Sequence, residues 1–243
     1  MRPKILYGLF SPVTALPGIG PRIGKLVEKV AGPHVVDLLW HLPAGFIDRR
    51  FAPRIADAPP GAIVTLTVRV EAHEPPVHQR QPYRVRCADA SGAIALVFFH
   101  ARPDYLARVL PVGETRVVSG QVELFQHRLQ MTHPDHIGTV EELGKLQAVE
   151  PVYPLTAGLS LRVLGKAIQH ALERAPELPE WLDPGVKARF AWRSWRTALA
   201  AAHASEDEAA LDPTNRDRAR LAYDELLANQ LALALVRAQQ RRV

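Results

Sequence analysis

The chain has 243 residues, 47% of them hydrophobic and 23% charged, which is the balance of a globular protein with a buried core. Its one cysteine, Cys87, excludes a disulfide scaffold and a zinc cluster built from cysteines, and it fits a reducing cytoplasm. The formal net charge of +5 favours a polyanionic partner such as nucleic acid over a membrane, because no apolar run approaches the ~20 residues of a membrane span.

Residues 1–60 are predicted to form a helical region. A turn built on Gly18 and Gly20 leads into a helix, since the proline that follows suits the first turn of a helix. A second helix is expected over residues 34–43. A basic Asp-Arg-Arg run then leads into a proline-rich link over residues 52–61.

The glycine turn resembles the hairpin of a helix-hairpin-helix motif. In such a hairpin, the backbone N–H groups of residues such as Gly18 and Gly20 face a DNA phosphate, and nearby basic side chains, here Arg22 and Lys25, add positive charge. A plain turn between two helices needs the same glycines, so DNA contact and simple chain reversal both remain open.

Residues 61–138 show the alternating pattern of β-strands. Strands are predicted over residues 62–71, 83–89, 93–99, 115–123 and 127–133, with a hairpin turn at residues 91–92 and a short helix over 103–110. Five strands with a helix between the third and fourth is the order of an OB-fold, a small Greek-key barrel that often binds nucleic acid. The predicted class is therefore α+β, a five-stranded OB-fold barrel flanked by helical segments 1–60 and 139–243.

Alternation along the strands predicts which side chains enter the barrel. On the first strand, one face carries Val64, Leu66, Val68 and Val70, and the other carries Thr65, Thr67, Arg69 and Glu71. On the second strand Arg84 and Arg86 face away from the apolar residues, and on the fifth Arg128 does the same. These three arginines either form a solvated surface or follow a phosphate backbone.

Two adjacent phenylalanines end the third strand, and only one of them can face the core. Phe98 shares a face with the other large apolar residues of that strand, so Phe99 is expected to point outward. With Arg102 and Tyr105, Phe99 brackets one loop at the rim of the barrel. An exposed aromatic residue there can stack on an unpaired base. The alternative is that Phe99 packs under the link or the C-terminal helices.

The region 139–243 is predicted to be a helical connector. One helix is expected over residues 161–175 and a final helix over 219–243, which has no C-cap signal at its end. The final helix has a predicted packing stripe at helical spacing, made of Tyr223, Leu227, Gln230, Leu231, Ala234 and Leu235.

Catalytic and metal-binding motifs are not found in the sequence. Residues 20–26 come nearest to a phosphate-binding Walker A loop, but they have one residue too few between the glycines and Leu26 where Ser or Thr binds Mg²⁺. Residues 133–136, His-Pro-Asp-His, have the side chains of metal ligands, but they fit a turn after a strand better. We therefore expect no catalytic residue, metal or cofactor site in this chain.

Six segments, in order along the chain, resemble the N-terminal part of the RecG family, bacterial ATP-dependent DNA helicases that remodel stalled forks and branched DNA. They are LPGIGPRIGKL, VVDLLWHLPAGFIDRR, ADASGAIALVFFHARPDYL, GETRVVSGQVELFQHRLQMTHPDH, VEPVYPLTAGLS and ARLAYDELLANQLALAL. The resemblance implies a wedge domain, an OB-fold that sits at the branch point of DNA while a motor pulls the duplex. It also implies a role in DNA repair and recombination at replication forks and Holliday junctions.

The resemblance assigns roles to particular residues. In the family, aromatic residues after the third wedge strand stack on bases where the arms separate, and Phe99 matches that position. Tyr105 matches the second aromatic, although the segment 99–105 is about two residues longer than the family pattern. Residues 203–213 also depart from that pattern, so the connector toward the motor differs here.

The resemblance also implies what accompanies this chain. The ATPase motifs of the family follow the final helix, so ATP and Mg²⁺ are expected in C-terminal helicase domains of the same polypeptide. It implies a monomer in the bacterial cytoplasm, associated with the nucleoid. Two alternatives remain: a stand-alone OB-fold protein that binds single-stranded DNA or RNA, and an interaction scaffold that binds no nucleic acid.

Overall fold

The computed structural model describes residues 3–78, 81–204 and 208–240. The helices are α1 (Pro21–Val30), α2 (Val35–Trp40), α3 (Pro103–Val109), α4 (Leu143–Leu146), α5 (Leu161–Arg174), α6 (Pro184–Arg189), α7 (Trp195–His203) and α8 (Arg216–Gln240). The strands are β1 (Gly45–Asp48), β2 (Ile63–Glu74), β3 (Tyr83–Ala88), β4 (Ala93–Phe98), β5 (Thr115–Phe125), β6 (Arg128–Thr132), β7 (His136–Gly138) and β8 (Val149–Val152). Two predicted features, the end of the final helix at 241–243 and part of the divergent connector at 205–207, lie outside the described residues.

The chain forms two compact units. The barrel unit is Ile47–Glu150, and the helical unit combines Met1–Phe46 with Pro151–Val243. This division differs from the sequence boundaries after residues 60 and 138. The reason is that residues 47–60 and 139–150 pack with the barrel; Ile55, for example, belongs to the hydrophobic core of the barrel.

The barrel unit contains a closed five-stranded barrel. Its strands are hydrogen-bonded in the order β2-β3-β4-β6-β5, and β2 pairs with β5 to close the ring. Helix α3 lies between β4 and β5 along the chain, which confirms the predicted OB-fold and the α+β class. A further strand, β7, pairs with β5 beyond the ring, and the sequence prediction lacked it, as it lacked β1 and β8.

The core of the barrel follows the predicted alternation on β2 with one exception. The predicted inward residues Val64, Leu66, Val68 and Val70 are all buried. Thr65 lies on the outer face as predicted, but unlike Thr67, Arg69 and Glu71 it is buried. Its hydroxyl donates a hydrogen bond to the carbonyl oxygen of Arg49 (2.8 Å) and lies 3.0 Å from the hydroxyl of Ser119. The outer side of β2 is therefore covered by the segment that precedes the barrel.

A buried arginine holds that segment in place. Arg49 is only 3% exposed, and its Nε donates to Glu150 (3.0 Å) while its Nη1 donates to Asp135 (3.0 Å) and lies 3.3 Å from the Ser119 hydroxyl. His136 lies 3.2 Å from the same Glu150 oxygen. The hydrogen bond with His136, and then the contact with Arg49, hold the pKa of Glu150 below its usual value although burial raises it. Arg49 therefore links both ends of the barrel unit.

The helical unit has a core of its own, to which the final helix contributes only its first turns. Of α8, the buried side chains are Asp217, Arg220, Leu221 and Asp224. The predicted packing stripe is therefore wrong in its second half, where Leu231 and Leu235 are exposed. Apolar side chains occur on all sides of this part of the helix, so no single face is favoured for burial. Among the described residues, no helix is both long and apolar enough to cross a lipid bilayer.

Arg49→Ala is expected to lower the free energy of unfolding by about 3 kcal/mol, the lower end of the range for a buried ion pair that loses one partner. Glu150 and Asp135 would keep their charges without the guanidinium that balances them. Denaturant unfolding measures the difference. Arg86→Ala is the control, because its ion pair with Glu71 is on the surface, where such pairs contribute about 0–1 kcal/mol. Equal losses in the two variants would contradict the role given to Arg49.

Candidate nucleic-acid interface

The two adjacent phenylalanines at the end of β4 lie on opposite sides of the barrel wall. Phe98 is 9% exposed and belongs to the core, whereas Phe99, the first residue after the strand, is 50% exposed. The outward orientation predicted for Phe99 is therefore confirmed. The chain then reverses at His100, whose φ of 56° lies in the left-handed region that few non-glycine residues adopt. This turn directs the chain toward α3.

Helix α3 presents Tyr105 at the surface. Pro103 occupies the first turn, and Leu106 and Leu110 are buried in the barrel core. Because successive helical residues point about 100° apart, burial of Leu106 turns Tyr105 away from the core. Tyr105 is half-exposed, and the guanidinium carbon of Arg108 lies 5.6 Å from the centre of its ring, in cation–π geometry.

A surface groove of about 530 Å³ is lined by Arg102, Asp104, Tyr105 and Arg108. The structure thus brings together Arg102 and Tyr105, two of the three rim residues predicted from the sequence. Phe99 is not part of this lining. Arg108 was missed, although its position three residues after Tyr105 on a helix is a spacing at which side chains meet. The groove offers a ring for stacking and two guanidinium groups for phosphate.

Phe99 contacts the residue that follows β6. Its backbone N–H donates a hydrogen bond to Nε2 of His133 (3.1 Å), and the centres of the two rings are 5.7 Å apart. The imidazole of His133 also lies edge-on to Phe98, with ring centres 6.0 Å apart. The exposed aromatic residue therefore has a defined neighbour on the barrel.

A second groove of the barrel unit brings together the three predicted arginines. Arg84, Arg86 and Arg128 line a volume of about 470 Å³ with the exposed ring of Phe125. Arg86 donates from Nε to Glu71 at 2.9 Å, so part of its charge is balanced on the surface. The groove therefore combines positive charge with an aromatic face, which is the chemistry that single-stranded nucleic acid prefers.

A tight hairpin between β5 and β6 shapes this second groove. Gln126 and His127 both have positive φ, 48° and 62°, as a two-residue turn of this hand requires. The turn places Phe125 directly opposite Arg128 in the strand register. Phe125 and His127 were not among the sequence candidates, and the only sequence signal for them is that they lie at the junction between the predicted strands 115–123 and 127–133.

The glycine hairpin lies in the helical unit. Gly18 has a φ of 77°, and Gly20 precedes α1 without a side-chain cap, so its first-turn N–H groups are not satisfied in that way. Arg22 and Lys25 line a groove of about 570 Å³ there. The element before the hairpin is a short 3₁₀ turn, Val13–Ala15, which differs from the α-helix that opens a helix-hairpin-helix.

Residues 20–26, the segment nearest to a Walker A loop, do not fit the phosphates of a nucleoside triphosphate. A Walker A loop wraps around the phosphates before its helix begins, but here the segment from Pro21 onward is already helical. Gly24 is buried within that helix, and Leu26 packs against the hydrophobic core of the helical unit. The candidate loop is therefore part of a structural helix.

The His-Pro-Asp-His segment forms the bend between β6 and β7, and its side chains have other partners. His133 contacts Phe99, whereas Asp135 and His136 belong to the cluster around Arg49 and Glu150. Within the described ranges, no group of three or more His, Cys, Asp or Glu residues is placed to hold a metal ion.

Comparison with known proteins gives a consistent set of matches. A family model described as the RecG wedge domain matches residues 12–174. The ATP-dependent DNA helicase RecG of Acidithiobacillus ferridurans is 31% identical over 236 residues, and that of Escherichia coli K12 is 26% identical over 240 residues. These alignments cover 94% and 95% of this chain but 33% and 34% of the relatives. The chain thus spans about a third of the length of its curated relatives.

A solved structure shares the fold over nearly the whole chain. It is described as "Structure of RecG bound to three-way DNA junction", and it matches with a TM-score of 0.75 at 23% identity. The match covers 96% of this chain and 32% of that one.

Phe98→Ala and Phe99→Ala are expected to differ sharply in stability. Phe98→Ala removes a core ring and should lower the free energy of unfolding by about 3–5 kcal/mol. Phe99→Ala should cost about 1 kcal/mol, because half of that ring is already in water. Thermal or denaturant unfolding of both variants measures the two changes in the free energy of unfolding. Equal changes would show that Phe99 is part of the core.

Proposed function

The chain belongs to the RecG wedge-domain family, and from that premise we propose that it recognises branched DNA and separates its strands. In this proposal it is the DNA-binding part of a RecG-type helicase that acts on replication forks and Holliday junctions in DNA repair and recombination. The observation that carries the proposal is the position of Phe99, half-exposed at the rim of the barrel directly after the third barrel strand.

An aromatic side chain at this position suits a branch point. Where two arms of DNA meet, the last base pair has one face without a stacking neighbour. Phe99 can cover that face, and a contact between a base and an aromatic ring contributes about 1–3 kcal/mol. Tyr105 offers a second ring in the neighbouring groove, partly covered by Arg108.

The basic grooves of the barrel unit supply the contacts to the DNA backbone. Arg102 and Arg108 can bind phosphates beside Tyr105, and Arg84 and Arg128 can do so beside Phe125. Two separate basic grooves on one barrel allow two strands to follow different paths. Strand separation then results when the duplex is drawn onto the barrel, since the strands cannot remain paired around it.

We assign hydrolysis of ATP to helicase domains outside the described residues. The curated relatives are about three times as long as this chain, and the segment nearest to a Walker A loop here is a structural helix. ATP and Mg²⁺ would therefore bind in those domains. From Leu226 onward, α8 exposes apolar side chains suited to packing against them: Leu226, Leu231, Leu233, Leu235 and Val236. We further propose that the protein acts as a monomer in the bacterial cytoplasm, associated with the nucleoid.

Phe99→Ala is expected to weaken binding to a model fork by about 1–3 kcal/mol, roughly 5- to 150-fold in Kd, through loss of the stacked base. Tyr105→Ala should have a smaller effect in the same direction. Phe51→Ala is the control, because it removes an equally exposed phenylalanine of the barrel unit that lies outside both grooves. Fluorescence anisotropy with labelled forks measures all three. A folded Phe99→Ala variant that binds forks like wild type would refute the assignment.

Fork binding is expected to weaken steeply with salt, by about 0.9 log units of affinity per log unit of salt for each phosphate neutralised. Arg84→Ala and Arg128→Ala should each reduce that slope by about 0.9, the contribution of one phosphate contact. Titrations of a fork and of a single strand at several salt concentrations provide the measurement. Equal affinity for the two would favour a protein specialised in single strands, and a response independent of salt would favour a scaffold.

A further inference from the structure

We propose that His133 is the positioning residue that holds Phe99 ready for stacking at a DNA branch point. The inference rests on the proposed function, because it concerns how the rim aromatic is held. It adds a residue that neither composition nor the strand pattern singles out.

The topology of the barrel places these two residues side by side. Strands β4 and β6 are parallel neighbours, with Val97 paired to Thr132. The residues that follow each strand therefore emerge at the same end of the barrel. The backbone N–H of His133 donates to the carbonyl oxygen of Val97 (2.8 Å), which extends the ladder by one step. The Cα of His133 therefore lies next to the end of β4, where Phe99 follows the strand.

The imidazole then binds the backbone of Phe99. Nε2 accepts the hydrogen bond from the Phe99 N–H at 3.1 Å, so the ring proton of a neutral imidazole must be on Nδ1. The same ring lies 5.7 Å from the Phe99 ring and 6.0 Å, edge-on, from the ring of Phe98. One side chain therefore fixes both the backbone and the ring of Phe99 against the buried phenylalanine.

Fixing Phe99 in this way reduces the cost of binding. Phe99 precedes His100, which has a left-handed φ, so the chain turns away immediately after the aromatic residue. A ring that already points outward loses less conformational freedom when it stacks on a base. The contribution of His133 is thus expected in DNA binding, since His133 itself is exposed and outside the barrel core.

Substitutions at position 133 can separate the hydrogen bond from the backbone conformation. His133 has a φ of 48°, a region that Asn tolerates well. In His133→Asn, however, the side-chain oxygen lies near the position of Nδ1 and does not reach the Phe99 N–H. In His133→Gln, the side-chain oxygen lies near the position of Nε2 and can accept that hydrogen bond.

The test is a double-mutant cycle with the 243-residue chain. The binding of a fork that carries 2-aminopurine at the branch is measured for wild type, His133→Asn, His133→Gln, Phe99→Ala and the double variant His133→Asn with Phe99→Ala. His133→Asn is expected to weaken fork binding roughly 2- to 10-fold, the effect of one lost hydrogen bond, and to reduce the fluorescence change of the branch base. His133→Gln should restore most of both. In the Phe99→Ala background, His133→Asn should have no further effect.

Single-strand binding and thermal unfolding serve as controls and should change little in His133→Asn. If that variant does not fold, His133→Phe, which keeps the ring contacts and lacks the acceptor, takes its place with the same expectations. Additive losses from positions 99 and 133, or a folded His133→Asn variant that binds forks like wild type while Phe99→Ala does not, would overturn the inference. If neither His133→Asn nor Phe99→Ala weakens fork binding, the stacking role of Phe99 itself is refuted, and the proposed function fails rather than the inference about His133.

Discussion

The ion cluster around Arg49 is the constraint on which the barrel unit depends. The chain enters this unit just before Arg49 and leaves it just after Glu150, and the guanidinium of Arg49 binds that carboxylate. It also binds Asp135, in the bend after β6. Two residues before Asp135 is His133, whose ring accepts the hydrogen bond from Phe99. A buried charge inside the unit is therefore connected, through one short bend, to the exposed aromatic side chain at its rim.

The sequence predicts the parts of this structure that follow from local periodicity. Alternating residues placed the barrel strands, and the Phe98–Phe99 pair was assigned correctly because successive residues of a strand point to opposite faces. The same reasoning does not predict the burial of Thr65, whose outer face is covered by a segment outside its own sheet ladder. It also fails at Arg49, since its carboxylate partners are 86 and 101 positions away and no local pattern announces them. Local sequence patterns therefore do not predict hydrogen bonds and ion pairs between polar groups that are far apart along the chain.

The final helix shows the opposite error. A helical spacing of apolar residues was taken as a packing stripe, yet Leu231 and Leu235 are exposed and the helix is anchored by the polar side chains of Arg220 and Asp224. Spacing predicts which side chains share a face, but it does not say whether another element covers that face. In the candidate interface the same limit applies: Arg108 and Phe125 were not predicted, and they are recognised only as lining residues of the folded grooves.

Four of the five non-glycine residues with positive φ in the described chain are in the barrel unit, at the ends of β4 and β6 and in the β5–β6 hairpin: His100, Gln126, His127 and His133. Backbone of this kind persists only where its surroundings enforce it, and it often marks functional positions. The ion pair between Arg49 and Glu150 has a further structural consequence. The ion pair joins the two ends of residues 47–150 to each other. Close termini of this kind are also what allows one domain to be inserted into another. The chain therefore enters and leaves the unit at one place, and an ion pair inside the unit holds that place together.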